Sequence, residues 1–309
     1  MPGEKITLLA LGDIWLARLV ADEIIKKGAH HPFARIAHHL RSADIVFGNL
    51  ESSFSTRGIP VKNKDVVARV SPSSLDGLVH AGIDVVSLAN NHIMDYGAEA
   101  LEDTLSFLDQ RGIKHLGAGM TQAEARKPLL VTRNEVGMSL HAYLCWGETS
   151  RSGLGPAGVI RPAIKEELRR ARGHSDFVVV ALHGGVDFQD YPTLQMIKLA
   201  HWIVDQGADV VIGHHPHVIQ GIEKYKNGLI AYSLGNFVFD TSRERARHGL
   251  MLRCRVGRGG VIAVDTVPVT IKDHRPRCAF QRRGPGSSPG PRWDLISPAL
   301  ARGSALEIR

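Results

Sequence analysis

The sequence predicts an α/β protein in which buried strands alternate with amphipathic helices. Short runs of β-branched and other apolar residues recur along the chain, and glycine or polar residues end each run, as expected of buried strands. Segments with an apolar stripe at helical spacing separate most of these runs. With 309 residues, 43% of them hydrophobic, the chain can bury a substantial core in one large domain or in two smaller ones.

The first half of the chain contains three buried strands, each followed by polar residues. The predicted strands are 5–11, 43–47 and 84–88, with a further short strand at 66–70. The predicted helices are 16–27, 33–41, 71–82 and 98–110, and two strand-like segments follow at 129–132 and 138–145.

The second half repeats this order of elements without sequence duplication. The predicted helices are 162–172 and 191–206, and the predicted strands are 176–182, 209–212, 229–232 and 238–239. Gly213 is predicted to mark the point where the chain leaves the sheet. Segments 249–256 and 260–272 are predicted to form a closing antiparallel pair. From Arg275 to Arg309, many prolines and glycines and few apolar residues predict a basic tail without fixed structure.

The charge distribution argues against nucleic-acid binding. The net charge is +7, and the seven arginines of residues 275–309, set against Asp294 and Glu307, contribute +5 of it. A phosphate-binding face requires a basic stripe on the folded part, so no nucleic-acid partner is expected.

Three cysteines without C-x-x-C spacing fit a reducing compartment. The first apolar run is too short for a signal peptide or a membrane anchor, so we expect a cytoplasmic protein without a membrane partner.

Side chains that bind metals follow five of the predicted strands. They are Asp13; Asn49 with Glu51; Asn91 with His92 and Asp95; His183; and His215 with His217. Ligands of open α/β sheets collect at the carboxyl ends of strands. A capping aspartate or a buried histidine explains any one of these positions, but neither explains all five. Carboxylates, imidazoles and an amide oxygen are the ligands of two-metal sites, so the sequence predicts two divalent ions, either manganese, zinc or iron.

Six longer stretches of the chain carry a resemblance to a known family. They are GDIWLAR at 12–18, NLESSFS at 49–55, SLANNHIMDYG at 87–97, LHGGVDF at 182–188, GHHPHVIQGIE at 213–223 and YSLGNFVFD at 232–240. Together they resemble the CapA family, named for poly-gamma-glutamate capsule synthesis, which is a branch of the calcineurin-like metallophosphatases. The resemblance implies a four-layer α/β/β/α metallophosphatase-like sandwich, with residues 1–274 as the catalytic domain and the metals at the edge where two sheets meet.

The resemblance also implies roles for the residues at the strand ends. The implied metal ligands are Asp13 for the first ion, Glu51 as the bridging carboxylate, Asn91, His183 and His215 for the second ion, and His217 reaching back to the first. His92 is implied as the acid–base imidazole, and Asp13 and His217 are further candidates for proton transfer.

Some positions depart from the pattern of these relatives. The phosphatase D-x-H motif begins here with Asp13 but ends with Trp15, so the first metal lacks the imidazole that phosphatases supply from this motif and is expected to bind weakly. The bridging aspartate is replaced by Glu51, which is one methylene longer. Where CapA relatives commonly have a tryptophan and a glutamate, this chain has Gly184 and Asp187, and we expect a more open pocket there.

Four polar residues are predicted to support the site or to contact the substrate. Asp95 either orients His92 or caps the helix that follows. Arg18 either pairs with a substrate carboxylate or lies on a helix surface. Asn236 lies in a tight connection where its amide can reach the substrate, and Asn49 lies beside the predicted bridging carboxylate.

Three functions are compatible with these residues. In a hydrolase, a metal-activated water attacks an ester, phosphoester or amide while His92 protonates the leaving group. In an enzyme resembling the peptide epimerases of this fold, an acid and a base exchange a proton at an α-carbon. In a non-catalytic subunit, the chain binds polyglutamate during capsule assembly. The missing D-x-H histidine disfavours phosphatase action, so we predict metal-assisted acid–base chemistry on a peptide or carboxylate-bearing substrate.

Overall fold

Two β-sheets packed face to face form the centre of the protein in the computed structural model, which describes residues 5–146 and 153–278. One buried cluster fills the space between the sheets, and two others fill the spaces between each sheet and the helices outside it. The predicted four-layer α/β/β/α sandwich is therefore confirmed.

The secondary structure is dominated by short strands. In chain order the strands are β1 (Lys5–Ile14), β2 (Ile45–Leu50), β3 (Ser53–Phe54), β4 (Arg69–Val70), β5 (Val85–Ser87), β6 (Lys114–Leu116), β7 (Ala118–Gly119), β8 (Leu129–Arg133), β9 (Val136–Leu144), β10 (Gly155–Pro156), β11 (Phe177–His183), β12 (Val210–His214), β13 (Ile222–Tyr225), β14 (Gly228–Ala231), β15 (Asn236–Val238), β16 (His248–Gly257), β17 (Gly260–Lys272) and β18 (Arg275–Cys278).

Seven α-helices accompany these strands in the described part of the chain. They are α1 (Leu19–Lys27), α2 (Ala37–Leu40), α3 (Asp76–Ala81), α4 (Gly97–Gln110), α5 (Gln122–Ala125), α6 (Arg161–His174) and α7 (Leu194–Asp205), with 3₁₀ turns at His31–Phe33, Pro72–Leu75 and Arg245–Arg247. Among these described residues, no helix is long and apolar enough to cross a membrane.

The first sheet is organised around β1. Its strand order is β18-β17-β16-β1-β2-β5-β6, and β15 also pairs with the end of β1. Strand β1 runs parallel to β2 and β15 and antiparallel to β16. Leu8 and Ala10 face the second sheet, whereas Leu9 and Leu11 face the helices. Because β1 is covered on both faces, its sequence is a continuous apolar run rather than an alternating one.

The second sheet has the strand order β13-β14-β12-β11-β9-β8. Its central strands β11 and β12 are parallel, and His183 pairs with His214 at their carboxyl ends. Val179 and Ala181 face the first sheet, and Val178 and Val180 pack against residues of α6 and α7. The alternation of β11 therefore places its last residue, His183, on the face between the sheets.

Two sequence predictions in the interior of the fold are wrong. Strand β12 does not end at Gly213 but continues to His214. The helix predicted over 33–41 is limited to Ala37–Leu40. Phe33, Ile36 and Leu40 are all fully buried, so their spacing resembles one helix face although turns connect the first two.

The folded chain extends four residues beyond the predicted boundary at Arg275. Residues Arg275–Cys278 form the edge strand β18, which pairs antiparallel with β17. An edge strand tolerates Pro276 because one side of its backbone needs no partner strand. The predicted tail therefore begins too early, and its remaining residues, 279–309, lie outside the described part of the chain.

Gly12 allows the end of β1 to lie close to the backbone of Gly235. A Cβ on Gly12 would lie 2.0 Å from the carbonyl oxygen of Gly235. We expect Gly12→Ala to lower the free energy of unfolding by about 1 to 3 kcal/mol, since the backbone must move apart. Gly173→Ala in α6 is the control, because no atom beyond its chain neighbours and its own helix backbone lies within 4 Å of its Cβ position. Urea denaturation measures both variants, and equal losses would contradict the prediction.

Candidate metal centre

The candidate metal-binding residues meet at one edge of the sandwich, between the two sheets. Strand β1 delivers Asp13, and Glu51 follows β2 in the first sheet. Strands β11 and β12 end with His183 and His214 in the second sheet. All four side chains are buried. Because parallel strands of both sheets end at this edge, residues that are far apart in the sequence come into contact here.

Asn49 links the two buried carboxylates. Its Nδ2 donates to Oδ1 of Asp13 and to Oε1 of Glu51, both at 2.8 Å, and lies 3.2 Å from Nδ1 of His183. An amide group carries two N–H donors, so it satisfies two of these three acceptors at a time. The structure therefore places Asn49, which was predicted to support the site, between three of the candidate ligands.

His217 lies beside both carboxylates. Its Nδ1 is 3.0 Å from Oδ1 of Asn236 and 3.3 Å from Oδ2 of Asp13, and its Nε2 is 4.0 Å from Oε2 of Glu51. A proton on Nδ1 is shared by two oxygen acceptors, which leaves Nε2 facing Glu51. Histidines that bind metals are oriented in this way, with one nitrogen donating to an oxygen and the other free for the ion. Asn236 therefore contacts His217 rather than open space.

His183, Asn91 and His215 form a second group. Nε2 of His183 is 2.9 Å from the side-chain oxygen of Asn91. The rings of His183 and His215 are 5.0 Å apart, centroid to centroid. Nε2 of His215 lies 2.9 Å from Oδ1 of Asp187. The structure thus brings the three predicted ligands of the second ion together.

His214 also enters the site, although it is not among the predicted residues. Its Nδ1 lies 3.1 Å from Oδ1 of Asp13. In β12, His214 shares a face with Val210 and Ile212, which belong to the core between the sheets. Strand alternation would have revealed His214 if the strand had been extended past Gly213. An imidazole therefore does reach Asp13, but it comes from the second sheet rather than from the D-x-H position.

Two tryptophans pack against histidines of the site. Trp15 is 2% exposed and meets His92 edge-on at 4.8 Å, and Trp146 meets His215 edge-on at 4.4 Å. A Cβ on Gly184 would lie only 2.7 Å from Cζ3 of Trp146. The expectation that Gly184 opens the pocket is wrong, because the indole of Trp146 occupies that space.

His92 is held by a carboxylate and a lysine. Its Nδ1 donates to Oδ2 of Asp95 at 2.7 Å, and the same carboxylate accepts the backbone N–H of Ala68 and pairs with Lys64. Lys64 also donates to the carbonyl oxygen of Asn91 at 2.6 Å. Helix α4 has no side-chain cap, so Asp95 contacts His92 instead of capping. Lys64 is not among the predicted residues, since a lysine in a loop carries no positional signal.

Arg18 lies at the rim of the site. It precedes α1 with a φ of 54°, and its Nε is 3.3 Å from Oδ2 of Asp240. Its side chain is 56% exposed. The helix predicted from residue 16 begins at Leu19, so Arg18 is not on a helix surface, and its pairing with a substrate carboxylate stays a prediction.

The buried groups of the site shift one another's pKa values: the pKa of Asp13 is lowered, and those of Glu51 and His217 are raised. Burial raises the pKa of Asp13, but the hydrogen bonds and charges of His214 and His217 outweigh burial and hold this pKa well below its usual value. Burial and the charge of Asp13 raise the pKa of Glu51 well above its usual value. Burial lowers the pKa of His217, but the charges of Glu51 and Asp13 outweigh it and raise this pKa to about 9. Without a metal, Glu51 and His217 therefore keep a proton between them to unusually high pH.

The donor atoms fit divalent cations. Asp13, Glu51 and His217 each offer a ligand atom within 4.8 Å of the other two, and so do Asp187, His215 and His217. Oε2 of Glu51 and Nδ1 of His215 are buried without a hydrogen-bond partner among the described residues. A buried polar atom without a partner is unfavourable, and a bound cation would satisfy both atoms.

Metal binding by this cluster is expected to strengthen as the pH rises. An imidazole must lose its proton before the nitrogen binds a cation, and the pKa of His217 is raised to about 9. The affinity should therefore increase roughly tenfold per pH unit below pH 9 through His217 alone. Titration calorimetry in two buffers of different protonation enthalpy measures the released protons. An affinity that is constant between pH 6 and 9 would contradict the prediction.

Comparison with known proteins identifies the family of this chain. A family model described as bacterial capsule synthesis protein PGA_cap matches residues 7–241. The chain is 31% identical over 275 residues to the PGA biosynthesis protein CapA of Bacillus subtilis (strain 168), which covers 86% of this chain and 72% of that protein. It is 28% identical over 285 residues to the capsule biosynthesis protein CapA of Bacillus anthracis, covering 89% and 69%. The chain therefore belongs to the PGA_cap family.

Solved structures share the fold at low sequence identity. A hypothetical protein from Thermus thermophilus has a TM-score of 0.58 at 15% identity, covering 86% of this chain and 100% of that chain. A putative 5'-nucleotidase from Staphylococcus aureus has a TM-score of 0.50 at 15% identity, covering 87% and 55%. These similarities support the metallophosphatase-like architecture.

Proposed function

We propose that this chain is a metal-dependent enzyme that moves protons on a peptide or carboxylate-bearing substrate. The observation that carries the proposal is the environment of His92. Its Nδ1 is held by Asp95, and its Nε2 has no hydrogen bond to any other described residue. Trp15 contacts both His92 and Phe239, and Phe239 contacts His217, so His92 lies near this candidate ligand. An oriented imidazole with one free nitrogen is suited to general acid–base catalysis.

The candidate ligands divide into two groups around the pocket. Asp13, Glu51 and His217 would hold one divalent ion, and Asn91, His183 and His215 would hold the other. When bound, such an ion polarises a substrate oxygen, which makes a neighbouring C–H bond or a water molecule more acidic.

His92 is suited to accept the proton. Burial lowers its pKa in spite of the opposing effect of Asp95, so the ring is neutral at pH 7 and Nε2 carries a lone pair. Asp95 then stabilises the imidazolium that forms, and Lys64 holds Asp95 in place. Asp13 and His217 were also predicted to transfer protons. An atom that binds a cation cannot carry a proton at the same time, so these two residues compete with their own role as ligands.

The aromatic surroundings favour a peptide over a phosphoester. The rings of Phe188 and Phe239 lie 5.9 and 4.7 Å from that of His217, and Trp15 covers one side of His92. Apolar walls of this kind suit a peptide segment better than a phosphate dianion, which needs several cationic or N–H donors. Metal-dependent phosphoester hydrolysis is therefore the second candidate, and it is favoured only by the fold.

A non-catalytic role in capsule assembly is supported by a different observation, the family to which the chain belongs. Relatives are named for capsule or PGA biosynthesis. Polyglutamate consists of amide-linked residues with free carboxylates, so a polyglutamate-binding subunit and a peptide-directed enzyme would recognise the same class of molecule. The two functions differ in whether the substrate is changed.

Incubation in heavy water distinguishes these functions. Protein loaded with manganese is mixed with poly-gamma-glutamate or with a peptide library in deuterated buffer, and the products are analysed by mass spectrometry. A mass increase at an α-carbon indicates proton exchange, and shorter products indicate hydrolysis. Rapid hydrolysis of p-nitrophenyl phosphate would overturn the preference for peptides. Binding of poly-gamma-glutamate without exchange or cleavage would support the non-catalytic role.

A further inference from the structure

We propose that Asp187 is a positioning residue of the metal centre, which keeps His215 in the tautomer whose Nδ1 binds the ion. This role rests on the metal centre proposed above. Sequence comparison singles out Asp187 only as a departure from relatives, and no ligand or catalytic role is predicted for it.

The contact between the two side chains fixes the position of a proton. Nε2 of His215 is 2.9 Å from Oδ1 of Asp187. An ionised carboxylate only accepts hydrogen bonds, so Nε2 carries the proton and Nδ1 has the free lone pair. Nδ1 is the buried end of the ring and has no partner within the described residues. A histidine that donates one N–H to a carboxylate and binds a metal with the other nitrogen is a recurring arrangement.

The free nitrogen belongs to the buried side of the pocket. The His215 ring contacts both Trp146, at 4.4 Å, and His183, at 5.0 Å, centroid to centroid. His183 in turn contacts Asn91. Nδ1 of His215 is therefore the end of the ring that is withdrawn from solvent, together with the two other predicted ligands of the second ion.

The loop that carries Asp187 is attached to the histidine loop by backbone hydrogen bonds. The N–H of Phe188 donates to the carbonyl oxygen of Pro216 at 2.8 Å, and the N–H of Gly184 donates to that of His214 at 2.9 Å. Phe188 has a φ of 60° and His215 a φ of 97°, which are unfavourable values for residues with side chains. Such conformations persist where the surroundings enforce them, so the contact is part of the built site.

Direct binding of the metal by Asp187 is the competing arrangement. Asp187, His215 and His217 do offer ligand atoms within 4.8 Å of one another. In that arrangement Nε2 of His215 would bind the ion and Nδ1 would carry the proton. Nδ1 would then be a buried N–H without an acceptor, which is unfavourable. The geometry therefore favours the positioning role.

The test measures metal affinity directly. Zinc dissociation constants are determined by competition with a chromophoric chelator for the wild type, Asp187→Ala, Asp187→Glu and a control, Asp190→Ala. Asp190 lies in the same loop but pairs with Arg245. We expect Asp187→Ala to weaken binding of the second ion by about 10- to 100-fold with unchanged stoichiometry at saturation, and Asp187→Glu to recover most of the loss. The control should bind like the wild type.

A second measurement reports on the tautomer without any metal. Long-range ¹H–¹⁵N spectra of the metal-free protein show which ring nitrogen of His215 carries the proton, and the His215→Gln variant assigns its signals. In the wild type the proton should be on Nε2. In Asp187→Ala the proton should no longer be restricted to Nε2. Wild-type affinity in Asp187→Ala would overturn the role of Asp187 alone, and loss of one bound ion at saturation would make Asp187 a ligand instead. If the wild type binds no zinc, the metal centre itself is overturned.

Discussion

Replacing His92 with glutamine is expected to lower the rate of substrate turnover by about 10²- to 10⁴-fold while the metal content stays unchanged. His92 is oriented by a carboxylate and is not a predicted metal ligand. Glutamine fills a similar volume beside Trp15 but cannot exchange a proton near neutral pH. The effect is measured as the rate of deuterium incorporation or of cleavage, with the substrate that the heavy-water experiment identifies.

His201→Gln is the matched control for this prediction. His201 is also an imidazole beside a carboxylate, with its Nε2 3.0 Å from Oε2 of Glu223, but it lies outside the metal centre. Its replacement should leave turnover unchanged. If His92→Gln retained wild-type turnover together with its metal, His92 would not be the acid–base group, and the non-catalytic role would become the better account.

Replacing Glu51 with glutamine is expected to abolish binding of the first ion and to stabilise the metal-free protein. Burial and the charge of Asp13 raise the pKa of Glu51 in the folded state. The folded protein therefore binds more protons than the unfolded chain from about pH 4.5 upward, and it loses stability as the pH rises toward the raised pKa. Glutamine does not titrate, so the difference in the free energy of unfolding between the variant and the wild type should grow over the same pH range.

Thermal unfolding in the presence of a chelator measures this second effect. At pH 8 the variant should have a Tm at least about 2 °C above that of the wild type, which corresponds to roughly 1 kcal/mol for a domain of this size. At pH 4 the two proteins should unfold at nearly the same temperature. Glu223→Gln is the control for the loss of the first ion. Glu223 is buried and bonded to Tyr232 outside the metal centre, so this variant should keep its metal. A lower Tm for Glu51→Gln at pH 8 would show that the Glu51 charge is not unfavourable in the folded state.

Stability and function are therefore opposed at this site. The pocket collects two carboxylates and several imidazoles in the protein interior, and it leaves donor atoms of Glu51 and His215 without partners among the described residues. These features are unfavourable unless a cation is present, and the proposed metal binding would account for them.

Local patterns in the sequence predicted the alternating strands and helices and placed candidate metal ligands at strand ends, whereas the four-layer sandwich followed from the family resemblance. The apolar runs before Asp13, Glu51 and His183 identified strands, and polar residues behind buried strands pointed to one sheet edge. That inference needs only the rule that parallel strands end together.

Contacts between distant segments could not be predicted in this way. His214 meets Asp13 across 201 positions, and Lys64 reaches Asp95 from a loop without regular structure. The partner of His215 depends on the φ values of Phe188 and His215, which are imposed by backbone hydrogen bonds between two loops. The space behind Gly184 is filled by Trp146 from another strand end, which no local pattern indicates.

The metal content of the purified protein tests the central claim most directly. Elemental mass spectrometry is applied to the wild type and to the double variant His215→Ala, His217→Ala, with circular dichroism as a check that both are folded. The proposed centre predicts about one to two equivalents of manganese, zinc or iron in the wild type and their loss in the variant. A wild type that contains no metal, even after reconstitution with manganese, would contradict the account and leave polyglutamate binding as the leading function.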